Sequence, residues 1–90
     1  MEVEHDEANS QFTVTLDGRT AVLRYRRASD GALDYESTFV PPPLRRRGIG
    51  RKLVQHALQY ARDNTYDVIP TCWFVKKFMD NEPAGEQSSG

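Results

Sequence analysis

Ninety residues suffice for one domain with a modest core and leave little room for a separate substrate domain. Twelve basic and thirteen acidic side chains give a net charge of −1, so overall charge offers no support for nucleic-acid binding. One cysteine, Cys72, excludes an intrachain disulfide and fits a reducing compartment.

Residues 1–9, MEVEHDEAN, read as a flexible, frayed start, although Val3 could open a short edge strand. Phe12, Val14 and Leu16 alternate with Gln11, Thr13 and Thr15, the pattern of a half-buried strand. Asp17-Gly18 is a hairpin turn. Ala21, Leu23 and Tyr25 then alternate with Val22, Arg24 and Arg26 as a second strand. After a turn at Asp30-Gly31, Leu33, Tyr35, Ser37 and Phe39 alternate with Asp34, Glu36, Thr38 and Val40, so these two sets are expected on opposite faces of a third strand.

Pro41-Pro42-Pro43 ends that pattern and the period changes. Ile49, Leu53, Val54, Ala57, Leu58 and Ala61 form one stripe of an amphipathic helix over roughly residues 48–63, with Asn64 as its C-cap. Val68 and Ile69 suggest a short buried strand whose ladder Pro70 would end or bulge. A short helix or turn follows, with Trp73, Phe74, Val75, Phe78 and Met79 as its apolar face. Residues 10–80 thus read as a domain of order β-β-β-α-β-α, an α/β (α+β) mixed sheet with helices packed on it, and residues 81–90 as a disordered tail.

The turn Leu44-Arg45-Arg46-Arg47-Gly48-Ile49-Gly50-Arg51-Lys52 carries the strongest chemical signal. The first N–H groups of a helix have no partner inside it, and the helix dipole favours an anion there. Gly48 and Gly50 permit close approach, and five basic side chains surround them. The Gly-Lys-Ser/Thr ending of a mononucleotide loop is absent, as is the third glycine of a dinucleotide fingerprint. A plain strand-to-helix connection flanked by solvated arginines is the alternative.

Cys72 lies between the last strand and the last helix, a position where a thiol can react or can be a small buried hydrophobe. Asp34 or Glu36 facing a pocket could act as a base, and Ser37 or Thr38 could hydrogen-bond a ligand. His56 reads as a partly exposed helix residue and His5 as inert. With one cysteine and two separated histidines, no metal is expected. The acidic first ten residues lack an apolar signal core, and no apolar run nears the about 18 residues of a membrane span, so a cytoplasmic location is expected.

Arg45-x-x-Gly48-x-Gly50, following a strand and opening a helix, resembles the acyl-coenzyme A signature of the GCN5-related N-acetyltransferases. The segments Ser37-Thr38-Phe39-Val40-Pro41, Leu53-Val54, Ala61-Arg62 and Ile69-Pro70-Thr71-Cys72 extend that similarity to the small YjdJ-type domain. The resemblance implies a V-shaped opening between the strands ending near Val40 and Pro70. It implies acetyl-coenzyme A as co-substrate, held by Phe39, Val40 and the run Arg45, Arg46, Arg47, Gly48, Ile49, Gly50, Arg51 and Lys52. It implies transfer of an acetyl group to an amine of unspecified kind, with Cys72, Ser37 and Thr38 as catalytic residues, either directly or through Cys72. Ser37 stands where the subfamily often has histidine, and two N-terminal helices of larger members have no counterpart. A non-catalytic acyl-coenzyme A-binding module is the alternative. A nucleic-acid partner is disfavoured, and a monomer or weak homodimer is expected.

Overall fold

The computed structural model describes residues 2–81, so residues 82–90 of the expected tail lie outside the described residues. In chain order the elements are β1 (Glu4–Asp6), β2 (Gln11–Leu16), β3 (Arg19–Arg27), β4 (Leu33–Phe39), α1 (Ile49–Asp63), β5 (Val68–Ile69) and α2 (Trp73–Asn81). Short 3-10 turns occupy Glu7–Asn9 and Pro42–Leu44. The strands form one sheet in the order β1-β2-β3-β4-β5, antiparallel except for the β4/β5 pair. Parallel pairing of β4 with β5 follows from the crossover through α1.

The β2–β3 hairpin closes on Asp17 and Gly18, both at positive φ (54° and 75°), as a type I′ turn requires. Helix α1 buries Ile49, Leu53, Val54, Ala57, Leu58 and Ala61, the stripe that the 3.6-residue period marks out. These side chains pack against Phe12, Val14, Ala21, Leu23, Leu33 and Tyr35 from the sheet to form the core. The Tyr35 hydroxyl donates to the carbonyl of Ala57, fastening β4 to the middle of α1.

The opening segment carries secondary structure where the sequence suggests fraying. β1 pairs with β2 from Glu4↔Thr13 to Asp6↔Gln11. His5 is the anchor: its ring stacks on Phe12 (centroids 4.2 Å apart), meets Tyr60 edge-on, and shares a 2.7 Å hydrogen bond with the Tyr25 hydroxyl. Desolvation lowers the pKa of His5, outweighing the opposing pull of Glu7.

A second departure lies in β4. Tyr25 pairs with Tyr35 and Arg24 with Ser37, which leaves Glu36 as an extra residue, a β-bulge. The insertion exchanges the faces beyond it. Thr38, opposite buried Leu23, now faces the helices, and Ser37 and Phe39 face outward. The continuous alternation expected over Leu33–Val40 therefore holds only as far as Tyr35. In α2, Val75 is buried and Phe74, Phe78 and Met79 are half-buried, but Trp73 is 70% exposed and does not join the packed face.

Candidate functional site

The two strands bordering the expected opening pair only at Leu33↔Val68 and Asp34↔Ile69. Pro70 has no N–H to continue the ladder. One further backbone bond, from Cys72 N–H to the Tyr35 carbonyl (2.9 Å), ties the start of α2 to β4. Beyond it β4 runs on to Phe39 without a strand on that side among the described residues. The bulge at Glu36 lies at this point and adds bend and twist to β4. A cleft results, with a cavity of about 350 Å³ lined by Thr38, Val40, Cys72 and Phe74, among others. A second cavity of about 270 Å³ adjoins it at the start of α1 and shares Val40, Arg45, Gly50 and Phe74.

The start of α1 forms one end of this cleft. Leu44 is buried and anchors the Pro42–Leu44 turn. Arg46 then takes a left-handed φ of 72°, and Gly48, the N-cap, one of 76°. Gly48 supplies no side-chain cap, and Lys52 N–H is bonded to its carbonyl (3.1 Å). The N–H groups of Ile49, Gly50 and Arg51 precede the first full turn and have no acceptor within the helix. Gly50 keeps space clear rather than meeting a special φ: a Cβ there would sit 3.2 Å from Cε2 of Phe74 and 3.7 Å from Cγ2 of Val40.

The five basic side chains of the turn diverge. Arg45 folds back, its Nε donating to the Val40 carbonyl (2.8 Å) while its guanidinium lies over the Phe39 ring. Arg46 and Arg51 line the cavity at the helix start, and Arg51 also lies over Phe78. Arg47 reaches the other way, 3.3 Å from Asp17 in the β2–β3 turn. Lys52 lines a separate groove with Val3, Gln55, His56 and Gln59. The backbone and three of the five bases therefore share the cleft, and the Arg47 and Lys52 side chains do not.

On the cleft floor Thr38 Oγ1 lies 3.6 Å from Cys72 Sγ, and the thiol residue is buried, at 8% exposure. Ser37 is exposed and paired with Arg24 on the outer face of the sheet, away from them. Asp34 and Glu36 both hold Arg26, at 3.2 Å each. His56 stands edge-on to Phe12 and lines the groove of Lys52. Among the described residues, then, the Thr38–Cys72 pair has neither an imidazole nor a carboxylate as a hydrogen-bond partner. Burial raises the pKa of Tyr35 and Tyr25, which keeps both as neutral hydrogen-bonding groups. Phe74 and Trp73 line the cleft although their sequence positions suggest only a helix face, since nothing in a single apolar residue tells which neighbour it meets.

No three His, Cys, Asp or Glu side chains gather to hold a metal among the described residues, and no described helix is long and apolar enough to cross a membrane.

A family model described as GCN5-related N-acetyl-transferase matches residues 11–88. The protein named NATD1 of Bos taurus is 37% identical over 83 residues, covering 90% of this chain and 74% of the relative. Protein NATD1 of Homo sapiens is 36% identical over 83 residues, covering 90% and 74%. Protein NATD1 of Gallus gallus is 35% identical over 85 residues, covering 92% and 77%.

Proposed function

The chain belongs to the GCN5-related N-acetyltransferase family, and from that premise we propose that it binds acetyl-coenzyme A in the β4/β5 cleft and passes the acetyl group directly to an amine. Family membership supports acetyl-coenzyme A-dependent acetyl transfer in general. The observation that carries the assignment to this cleft is Gly50. Of the two glycines at the helix start, it is the one whose Cβ would fill the space between Val40 and Phe74. The glycine keeps that passage open beside N–H groups that need an outside acceptor.

The residues present fit a diphosphate-bearing ligand. The N–H groups of Ile49, Gly50 and Arg51 face its charge, and Arg46 and Arg51 add positive side chains. Val40, Phe74 and Gly50 form apolar walls for a narrow arm leading to Thr38 and Cys72. The thioester supplies an activated acetyl group when bound. Backbone groups of β4 that do not reach β3 face the cleft, and an N–H there stabilises negative charge developing on the carbonyl oxygen.

Direct transfer is favoured over a cysteine-linked path by the surroundings of Cys72. Its sulfur meets the Thr38 hydroxyl and no base, whereas a nucleophilic thiol is ordinarily activated by one. Thr38 and Cys72 position the thioester in this reading, and Ser37, on the other face, takes no part. An amide chemical-shift titration tests the site: acetyl-coenzyme A should move the signals of Thr38, Gly48, Gly50 and Cys72, and unmoved signals at saturation sink it. Cys72→Ala should keep transfer within about tenfold of the parent, with no acetylated protein by intact mass; a loss of about a thousandfold or more would establish the covalent path.

The same absence of a base beside the floor supports a second reading, an acyl-coenzyme A-binding module without turnover. Release of free coenzyme A thiol across a panel of amines separates the two.

A further inference from the structure

Three large hydrophobic side chains stand out as exposed among the described residues: Phe39 at 55%, Ile69 at 38% and Trp73 at 70%. Their places in the chain are not scattered. Phe39 is the last residue of β4, Ile69 the last of β5, and Trp73 the first of α2. All three mark the open end where the β4/β5 ladder stops. Phe39 and Trp73 line the same cavity as Thr38 and Cys72. The helix start borders the same cleft, its cavity sharing Val40, Arg45, Gly50 and Phe74 with this one.

Each of the two aromatic rings carries a cation. The Arg45 guanidinium lies 6.0 Å from the Phe39 centroid, and Lys77 Nζ lies 5.8 Å from that of Trp73. Among the described residues neither cation has a carboxylate partner, whereas Lys76 holds Asp80 and Arg47 holds Asp17. A ligand at this mouth therefore meets flat apolar surface bordered by positive charge. That combination repels a polyamine or a basic peptide and suits a flat apolar body bearing an anion.

The amine itself must be neutral to attack. The carboxylates and imidazoles that could take its proton are engaged elsewhere: Asp34 and Glu36 by Arg26, His5 by Tyr25, and His56 in the separate groove. A site without a dedicated base favours a less basic amine. An α-amine is less basic than the lysine ε-amine, and neighbouring cations lower its proton affinity further.

Resting on the transferase reading above, we infer that the acceptor is a free aromatic α-amino acid, with its ring on Phe39 and Trp73 and its carboxylate toward Arg45 and Lys77. The bond formed joins the α-nitrogen to the acetyl carbon; the carbon–sulfur bond of the thioester breaks with its electron pair on sulfur. The proton lost by nitrogen leaves to solvent or to that thiolate.

Trp73 is the only tryptophan in the chain, so its fluorescence reports the mouth directly. L-phenylalanine titrated into the protein saturated with coenzyme A should change Trp73 emission saturably. Phenylalaninamide, lacking the carboxylate, should bind about tenfold more weakly, and spermidine and a lysine-containing peptide should give no saturable change. In acetyl transfer, Trp73→Ala should raise KM for phenylalanine about tenfold, with kcat and acetyl-coenzyme A affinity within about threefold. Preference for spermidine or the lysine peptide overturns the inference. So does absence of a phenylalanine signal in protein that binds acetyl-coenzyme A, or a Trp73→Ala defect confined to coenzyme affinity. If acetyl-coenzyme A itself leaves the Gly48 and Gly50 amides unmoved, the transferase reading fails instead, and this inference falls with it.

Discussion

Replacing Gly50 by alanine separates folding from binding at the helix start. Gly50 does not have a positive φ, so alanine suits its backbone. The exchange should gain about 1 kcal/mol of helix propensity. Against this, the new Cβ would stand 3.2 Å and 3.3 Å from two ring carbons of Phe74, a few tenths of an ångström inside ordinary contact. Phe74 is half-buried and sits near the start of α2, so its ring can give way at a cost of about 0.5–1.5 kcal/mol. The two effects nearly cancel, and the melting temperature should stay within about 5 °C of the parent. The passage between Val40 and Phe74, however, is then filled, and acetyl-coenzyme A affinity should drop by about tenfold or more, about 1.4 kcal/mol. Gly48→Ala is the counterpart. Nothing lies within 4 Å of its Cβ, but its φ of 76° is costly for any other residue. That variant should lose about 1–2 kcal/mol of stability and, once folded, bind with little change. Calorimetry with acetyl-coenzyme A alongside thermal melts reads both quantities. Normal affinity in a normally melting Gly50→Ala protein would refute the placement of the ligand in this cleft.

Charge removal should discriminate within the arginine run: Arg46→Ala should weaken acetyl-coenzyme A binding by about 3–10-fold, whereas Arg47→Ala, which loses an exposed pair with Asp17, should stay within about twofold by the same calorimetry. His5 should make stability depend on pH. Its folded pKa lies below the unfolded value of 6.5, so the unfolded chain holds more protons in between, and stability present above 6.5 is lost as pH falls through that window. Urea denaturation from pH 7.5 down to pH 5 should show this loss, and His5→Phe, which keeps a ring on Phe12, should flatten it. Deleting Glu36 removes the bulged residue yet leaves Thr38 inward and Phe39 outward by simple alternation. The deletion should fold cooperatively and lose about tenfold or more in acetyl-coenzyme A affinity as β4 straightens; unchanged affinity would mean that Pro70 alone opens the cleft.

Helix α1 was legible because six apolar residues at helical spacing admit one solution, and the structure buries those six. The β2–β3 hairpin was legible because Asp17-Gly18 has few other uses between two alternating runs. The cleft was legible in outline only through the family resemblance, which implies an opening between the strands ending near Val40 and Pro70. Its wall was not. Phe74 is one apolar residue among several in α2, and only the tertiary approach to Gly50 distinguishes it. Side-chain directions in the arginine run were equally hidden, because local sequence specifies charge but not the partner. Arg47 finds Asp17, 30 residues away, and His5 finds Tyr25, 20 residues away.

The bulge in β4 is the most instructive of these. Leu33–Val40 has no glycine or proline to signal an insertion; alternation alone puts Ser37 inward and Thr38 outward, and only the polar run Glu36-Ser37-Thr38 breaks the pattern where the bulge falls. The opposite arrangement arises because Tyr35 is fixed against Ala57 while Thr38 and Val40 must meet α2 and the start of α1. One extra residue reconciles the two halves. The adjustment has a cost: Phe39 is turned into solvent, and the ladder to β5 is abandoned where Ile69 and Trp73 are also left uncovered. A chain selected only to fold would extend β5, pair it along β4 and cover those side chains, since each change gains hydrogen bonds or apolar burial. Several departures from local rules meet around the Thr38–Cys72 floor: the bulge, the ended ladder and the uncovered Phe39, Ile69 and Trp73, the kind of place where function rather than stability is expected to set the structure.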